Sequence, residues 1–177
     1  ASDVYKRQHP SVLMPFLADL AQRLALYHPN AGVWVSNQGF DAEKNDYFFT
    51  YLQTEQPTWL EGVVYGPWTR LTLAEVRTRT PAQYKLRGYP DITHSVRCQY
   101  PVPNRDRAFA HTLGRENQNP RPVAQAHIHN LYQDLVDGFC TYSDGCHDDV
   151  NKQIWTMRGW DPTMSVEDML LDYSRFF

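Results

Sequence analysis

Residues 138–151 read Gly-Phe-Cys-Thr-Tyr-Ser-Asp-Gly-Cys-His-Asp-Asp-Val-Asn. Gly138 to Tyr142 is a short apolar run with the length and composition of a strand. A turn follows that carries Asp144, His147, Asp148, Asp149 and Asn151. A helix is expected next, from Val150 through Ile154 and Trp155 to about Met157. A strand that ends in carboxylates and a histidine just before a helix is how α/β enzymes assemble their sites.

Similar units lie upstream. A helix is expected over Ser11–Tyr27, capped by Ser11, with Leu13, Phe16, Leu17, Leu20 and Leu24 on one face. Gly32–Ser36 is β-rich without polar alternation, so it reads as a strand buried on both faces. Asp41 caps a helix over Ala42–Thr54 with Tyr47, Phe48, Tyr51 and Leu52 inward. Gly62–Tyr65 and Tyr84–Gly88 are two further strands. Between them Thr72 and Glu75 form a capping box for a helix reaching Arg79. Residues 104–120 form a long connection, with a short helix around Arg107–Leu113, before a helix over Pro122–Leu135 with Val123, Ala126 and Tyr132 in register. Ser165 caps the last helix, with Asp168 three residues on and Met164 and Met169 as a hydrophobic staple.

One helix and then four strand–helix units imply a parallel sheet with right-handed crossovers. With polar clusters after each strand, the expected architecture is a partial (β/α)8 barrel, strands five to eight, spanning residues 9–177. An open doubly wound parallel sheet is the alternative. Ala1–Gln8 lacks an initiating Met and resembles a translated adapter sequence, so it is set apart from the fold. The first half of the barrel is then expected in a missing N-terminal part of the same chain.

Composition narrows the function. The 177 residues are 42% hydrophobic and 14% aromatic, enough for a sizeable core, and the net charge is −3. No basic stripe is present, which argues against nucleic acid as a partner. No apolar run approaches the roughly 18–20 residues of a membrane span. Three cysteines, Cys98, Cys140 and Cys146, are too few for a disulfide framework and are taken as thiols.

In a barrel the residues just after each strand share one rim. Here these are Asn37 and Gln38; Tyr65 and Trp68; Tyr89, Asp91, His94 and Arg97; and Tyr142, Asp144, His147, Asp148, Asp149 and Asn151. Acids, amides and aromatics together suit a carbohydrate: carboxylates supply acid, base or nucleophile, amides grip hydroxyls, and aromatics stack on the ring. Asp91 and Asp144 are the expected catalytic pair, and the other twelve the expected substrate contacts. Asp148 and Asp149 are the fallback pair, with helix capping as their competing role. No cofactor is expected. A metal-dependent hydrolase built on Asp144, His147, Asp148 and Asp149 is the rival chemistry, although the spacing matches no metal motif. His127 and His129, two apart, face different sides of a helix and cannot share a metal.

Three places also carry a family resemblance. They are Val63-Val-Tyr-Gly-Pro67, Asp91-Ile-Thr-His94, and Ser143–Asp149 followed by Trp160-Asp-Pro162 and an acidic helix ending Tyr-x-Arg-Phe. Together these resemble the second half of the catalytic barrel in the α-glucuronidase family of glycoside hydrolases. That resemblance implies a barrel, a sugar site on its rim, and cleavage of a glycosidic bond by paired carboxylates. The chain departs from the family where its acid after Gly-Pro falls at Thr69 and its next acid near Tyr89. The fold and the site's location are therefore expected to carry over, and the α-glucuronidase activity is not. A non-catalytic carbohydrate-binding barrel is the alternative function.

Overall fold

The computed structural model describes residues 8–92, 100, 120–142 and 149–176. The expected short helix around Arg107–Leu113 lies outside them. The chain is α/β, with six α-helices and parallel strands among the described residues. It divides into two compact units, residues 1–88 with 135–137, and residues 89–134 with 138–177.

In the first unit, α1 (Pro10–Tyr27) precedes β1 (Val33–Ser36), α2 (Ala42–Thr54), β2 (Leu60–Tyr65), α3 (Leu73–Arg79) and β3 (Lys85–Gly88). The strands lie in the order β1-β2-β3, all parallel. Val35, Val63 and Leu86 stand abreast and are buried. The next row is Trp34, Gly62 and Lys85. A Cβ on Gly62 would fall 2.4 Å from the Lys85 carbonyl and 2.5 Å from the Trp34 ring. Glycine is thus what lets Trp34 lie across β2, where the Arg87 guanidinium sits 4.1 Å over its ring. Lys85 and Arg87 are exposed and alternate with buried Leu86 and Gly88. β1, expected to be buried on both faces, buries only Val35 and leaves Val33, Trp34 and Ser36 half-buried, while β3 shows a half-buried strand's alternation.

The caps form largely as expected. Asp41 accepts from Lys44 N–H at 3.0 Å, and Thr72 with Glu75 completes a capping box. The first helix differs: His9, rather than Ser11, is its cap, with the ring Nδ1 accepting from Ser11 N–H at 3.2 Å. Its buried residues are Pro10, Leu13, Met14 and Ala21, while Phe16 and Leu20 are exposed. In α2, Phe48, Phe49 and Leu52 are buried and Tyr47 is exposed.

The second unit contains α4 (Pro122–Tyr132), β4 (Gly138–Phe139), α5 (Asp149–Trp160) and α6 (Val166–Ser174). The strand expected to reach Tyr142 is only two residues long. Beyond it Tyr142 forms a single parallel bridge with Asp91, with Ile92 N–H donating to Tyr142 O at 3.1 Å and Tyr142 N–H to Pro90 O at 2.9 Å. Ala126, Ile154 and Met169 make a core cluster, with Met157, Met164, Val166 and Leu170 packed around it. Met164 beside buried Met169 is the expected staple, and Ser165 caps α6 by accepting from Asp168 N–H at 3.0 Å. The inward face of α4 is Gln125, Ala126 and His129; Val123, expected inside, is exposed.

Candidate functional site

The connections that leave the C-terminal ends of β1 and β2 are bound into a clasp. Asn37 and Asn45 are fully buried, and Asn37 Nδ2 donates to Asn45 Oδ1 at 2.8 Å. Asn45 in turn donates to the carbonyls of Phe40 and Asp41, at 3.1 and 2.9 Å, holding the turn that enters α2. From the β2 side, Thr69 Oγ1 donates to Asn37 Oδ1 at 3.4 Å and accepts from Gly66 N–H at 3.3 Å. Gly39, at φ 79°, occupies the left-handed region that favours glycine, and its N–H reaches Trp68 O at 3.1 Å.

The clasp fixes Trp68 from both sides. Its N–H donates to Gln38 Oε1 at 3.2 Å while its carbonyl accepts from Gly39. The side chain nevertheless stands out, with Trp68 67% exposed. A large aromatic on a backbone tied at both ends is an arrangement that offers a ring face to a ligand at little cost in ordering. Gln38 is only 6% exposed, and Gly66 makes room for it: a Cβ there would lie 2.1 Å from the Gln38 amide carbon. Tyr65, half-buried, ends β2 beside this turn.

In the second unit, Asp91 is 4% exposed and lies outside β3 and β4, joined to Tyr142 by an isolated parallel bridge. Tyr89 and Tyr142 meet edge to face at 5.8 Å. Burial pushes the Tyr89 phenol above its ordinary value, and the Cys140 and Asp91 charges add to that. Asp149 is the first residue of α5 and accepts from the Tyr173 hydroxyl, which raises the Tyr173 phenol in turn. Asn151 is fully buried, and its Oδ1 accepts from Arg121 N–H at 2.9 Å at the start of α4. That carboxamide secures a helix entrance instead of facing a ligand.

His94, Arg97, Asp144, His147 and Asp148 lie outside the described residues, so one member of the expected pair, Asp91, is described and the other is not. Within the first unit the clasp brings together Asn37, Gln38 and Trp68 from the expected set, and adds Thr69 and Asn45. Asn45 is hidden by its place inside a helix, where nothing in the sequence marks it as the partner of a loop amide. Among the described residues no three His, Cys, Asp or Glu side chains gather as a metal site; Asp149 alone of the rival metal loop is described.

The second unit has polar groups of its own inside. Gln125 accepts from Trp155 Nε1 at 2.7 Å, and His129 is packed edge to face against Phe139 and Trp155 at 5.4 and 5.2 Å. Nearby an open groove of about 550 Å³ runs over Phe139, Met157, Trp160 and Met164. Trp160 is even more exposed than Trp68, but the groove's lining is chiefly apolar, with Thr156 its one hydroxyl and no Asn or Gln side chain. No family model, curated protein or solved structure matches the chain.

Proposed function

We propose that the chain is a carbohydrate-handling α/β domain, the second half of a (β/α)8 barrel with a sugar site on its C-terminal rim. One observation carries the proposal: the exposed Trp68, tied through its N–H and C=O to Gln38 and Gly39 at the ends of adjacent parallel strands. A ring face flanked by amides matches the two surfaces of a pyranose, apolar on its C–H face and hydroxylated at its edge. The sequential parallel order β1-β2-β3 is what one side of such a barrel requires, and one half of a doubly wound sheet shares it.

The proposed chemistry is glycosidic cleavage by paired carboxylates, with Asp91 as one and Asp144 as the other. Asp91 supports it by being buried at its isolated bridge to Tyr142, beside Tyr89. One observation favours the second reading, a binding domain without turnover. Thr69, standing where the resembled family has an acid, spends its hydroxyl on Asn37 and Gly66.

The test combines calorimetric titration with methyl pyranosides and their disaccharides and turnover of the matching aryl glycosides. Saturable binding that weakens about tenfold in Trp68→Ala is the expected result. A flat titration across the panel removes the carbohydrate proposal. Turnover lost in Asp91→Asn with binding retained selects the hydrolase; binding with no turnover in the unaltered chain selects the binding domain.

A further inference from the structure

We propose that Gln38 reads the sugar directly: its amide nitrogen donates to one ring hydroxyl of the pyranose stacked on Trp68. This rests on the carbohydrate reading above and assigns a specificity-determining group within it.

The geometry begins with the orientation of the amide. Oε1 of Gln38 accepts from Trp68 N–H, and only the oxygen can do so, which fixes which end of the amide is nitrogen. Both protons on Nε2 are left without a protein acceptor among the described residues, since the Trp68 bond is the one hydrogen bond this side chain makes there. Yet the residue is held almost wholly inside, 6% exposed, packed against Gly66, where any side chain would collide with the amide. A glutamine that served only to tie the loop would need its oxygen alone. The nitrogen is not among the buried unpartnered atoms, so an amide immobilised through its oxygen keeps two donors at the surface of the turn that carries the exposed Trp68, open to an acceptor from outside. The neighbouring amides of the clasp differ in this respect. Asn37 spends both ends on Asn45 and Thr69, and Asn45 is likewise occupied, so neither has the same freedom.

The acceptor is taken to be a neutral hydroxyl. The exposed Trp68 ring on the same turn favours a flat apolar face, and an uncharged amide gives no special preference to an anion. The amide tells a hydroxyl from a hydrogen at one ring position, while the indole accepts many sugars.

The experiment uses the full chain with a bound methyl pyranoside and its deoxy and deoxyfluoro analogues. A fluorine can accept from N–H but cannot donate. At one ring position the deoxy sugar should bind about 3- to 10-fold more weakly, with the deoxyfluoro sugar recovering part of the loss. In Gln38→Glu the oxygen that holds Trp68 is kept and the donor is gone. The fluorosugar should then lose its recovery at that position alone, while the melting temperature stays close to the unaltered chain's. If Gln38→Glu does not fold, the side-chain NH2 signals of Gln38 in the unaltered chain serve instead, and they should shift on titration. Identical fluorosugar profiles in the two proteins, or NH2 signals unmoved at saturation, overturn the assignment of Gln38 while leaving sugar binding at Trp68 intact. Absence of binding by every sugar removes the carbohydrate reading and this inference together.

Discussion

His129 shows how far a single residue's environment can be inferred from its neighbours in sequence. Its spacing from His127 implies opposite faces of α4, and His127 is exposed while His129 is 4% exposed. What encloses His129 is not local. Phe139 comes from β4 and Trp155 from α5, and no spacing rule links these positions to residue 129. Burial lowers the imidazole below its ordinary value, Asn130 Oδ1 at 3.2 Å partly offsets this, and the Arg158 charge lowers it further. The folded chain therefore binds fewer protons here than the unfolded one. Stability contributed by the neutral ring is complete above the unfolded pKa, about 6.5, and is lost as pH falls below it. Melts followed by Trp fluorescence should show a drop between pH 7.5 and pH 5 that shrinks in His129→Phe, which does not titrate. An equal drop in both proteins would mean that His129 is not the group responsible. The same limit explains the candidate site. Gln38 and Trp68 stand out as an amide and an aromatic just after strands, but Thr69 and Asn45 join them only because two loops meet in space.

At the scale of elements, what is written locally is what the sequence discloses. The capping box at Thr72, the cap at Asp41 and the staple between Met164 and Met169 each depend on residues a few positions apart, and each forms. The inward faces are less legible because apolar side chains exceed the buried positions available. Phe16, Leu20, Tyr47 and Val123 fit a helical stripe and yet face solvent. Strand pairing is less local still. Gly62 looks like the start of a strand, whereas β2 begins at Leu60 and Gly62 sits inside it opposite Trp34. That register makes a specific demand on the residue. In Gly62→Ala the new methyl meets the Lys85 carbonyl, a backbone atom held in the ladder, and the Trp34 ring. The cost should be about 1–3 kcal/mol, typical of forced overpacking, read from urea unfolding with Trp34 as a reporter. A change under about 1 kcal/mol would contradict the pairing of Trp34 with Gly62, since strand alanine over glycine is otherwise mildly favourable.

The chain as a whole does not divide at one point. Residues 1–88 form most of the first unit, but 135–137 return to it from the other half of the sequence. Asp137 makes that return count. Its N–H donates to Leu86 O at 2.7 Å, its carboxylate accepts from Leu86 N–H at 2.7 Å, and Arg77 approaches the same carboxylate at 3.4 Å. A side-chain oxygen thus satisfies a backbone donor on β3, whose central residue Leu86 is wholly buried. Two effects can be separated here. The Arg77 pair is partly exposed and worth at most about 1 kcal/mol, whereas an unsatisfied N–H next to a buried side chain costs about 1–3 kcal/mol. Asp137→Asn keeps an oxygen for Leu86 and loses only the charge, so it should be nearly neutral. Asp137→Ala removes the acceptor and should weaken the first unit by the larger amount. Hydrogen exchange at the Leu86 amide should then quicken in Asp137→Ala and stay protected in Asp137→Asn. Equal protection in all three proteins would show that β3 is closed by its β2 partner alone. Fast exchange in both variants would instead give the Arg77 charge the larger part.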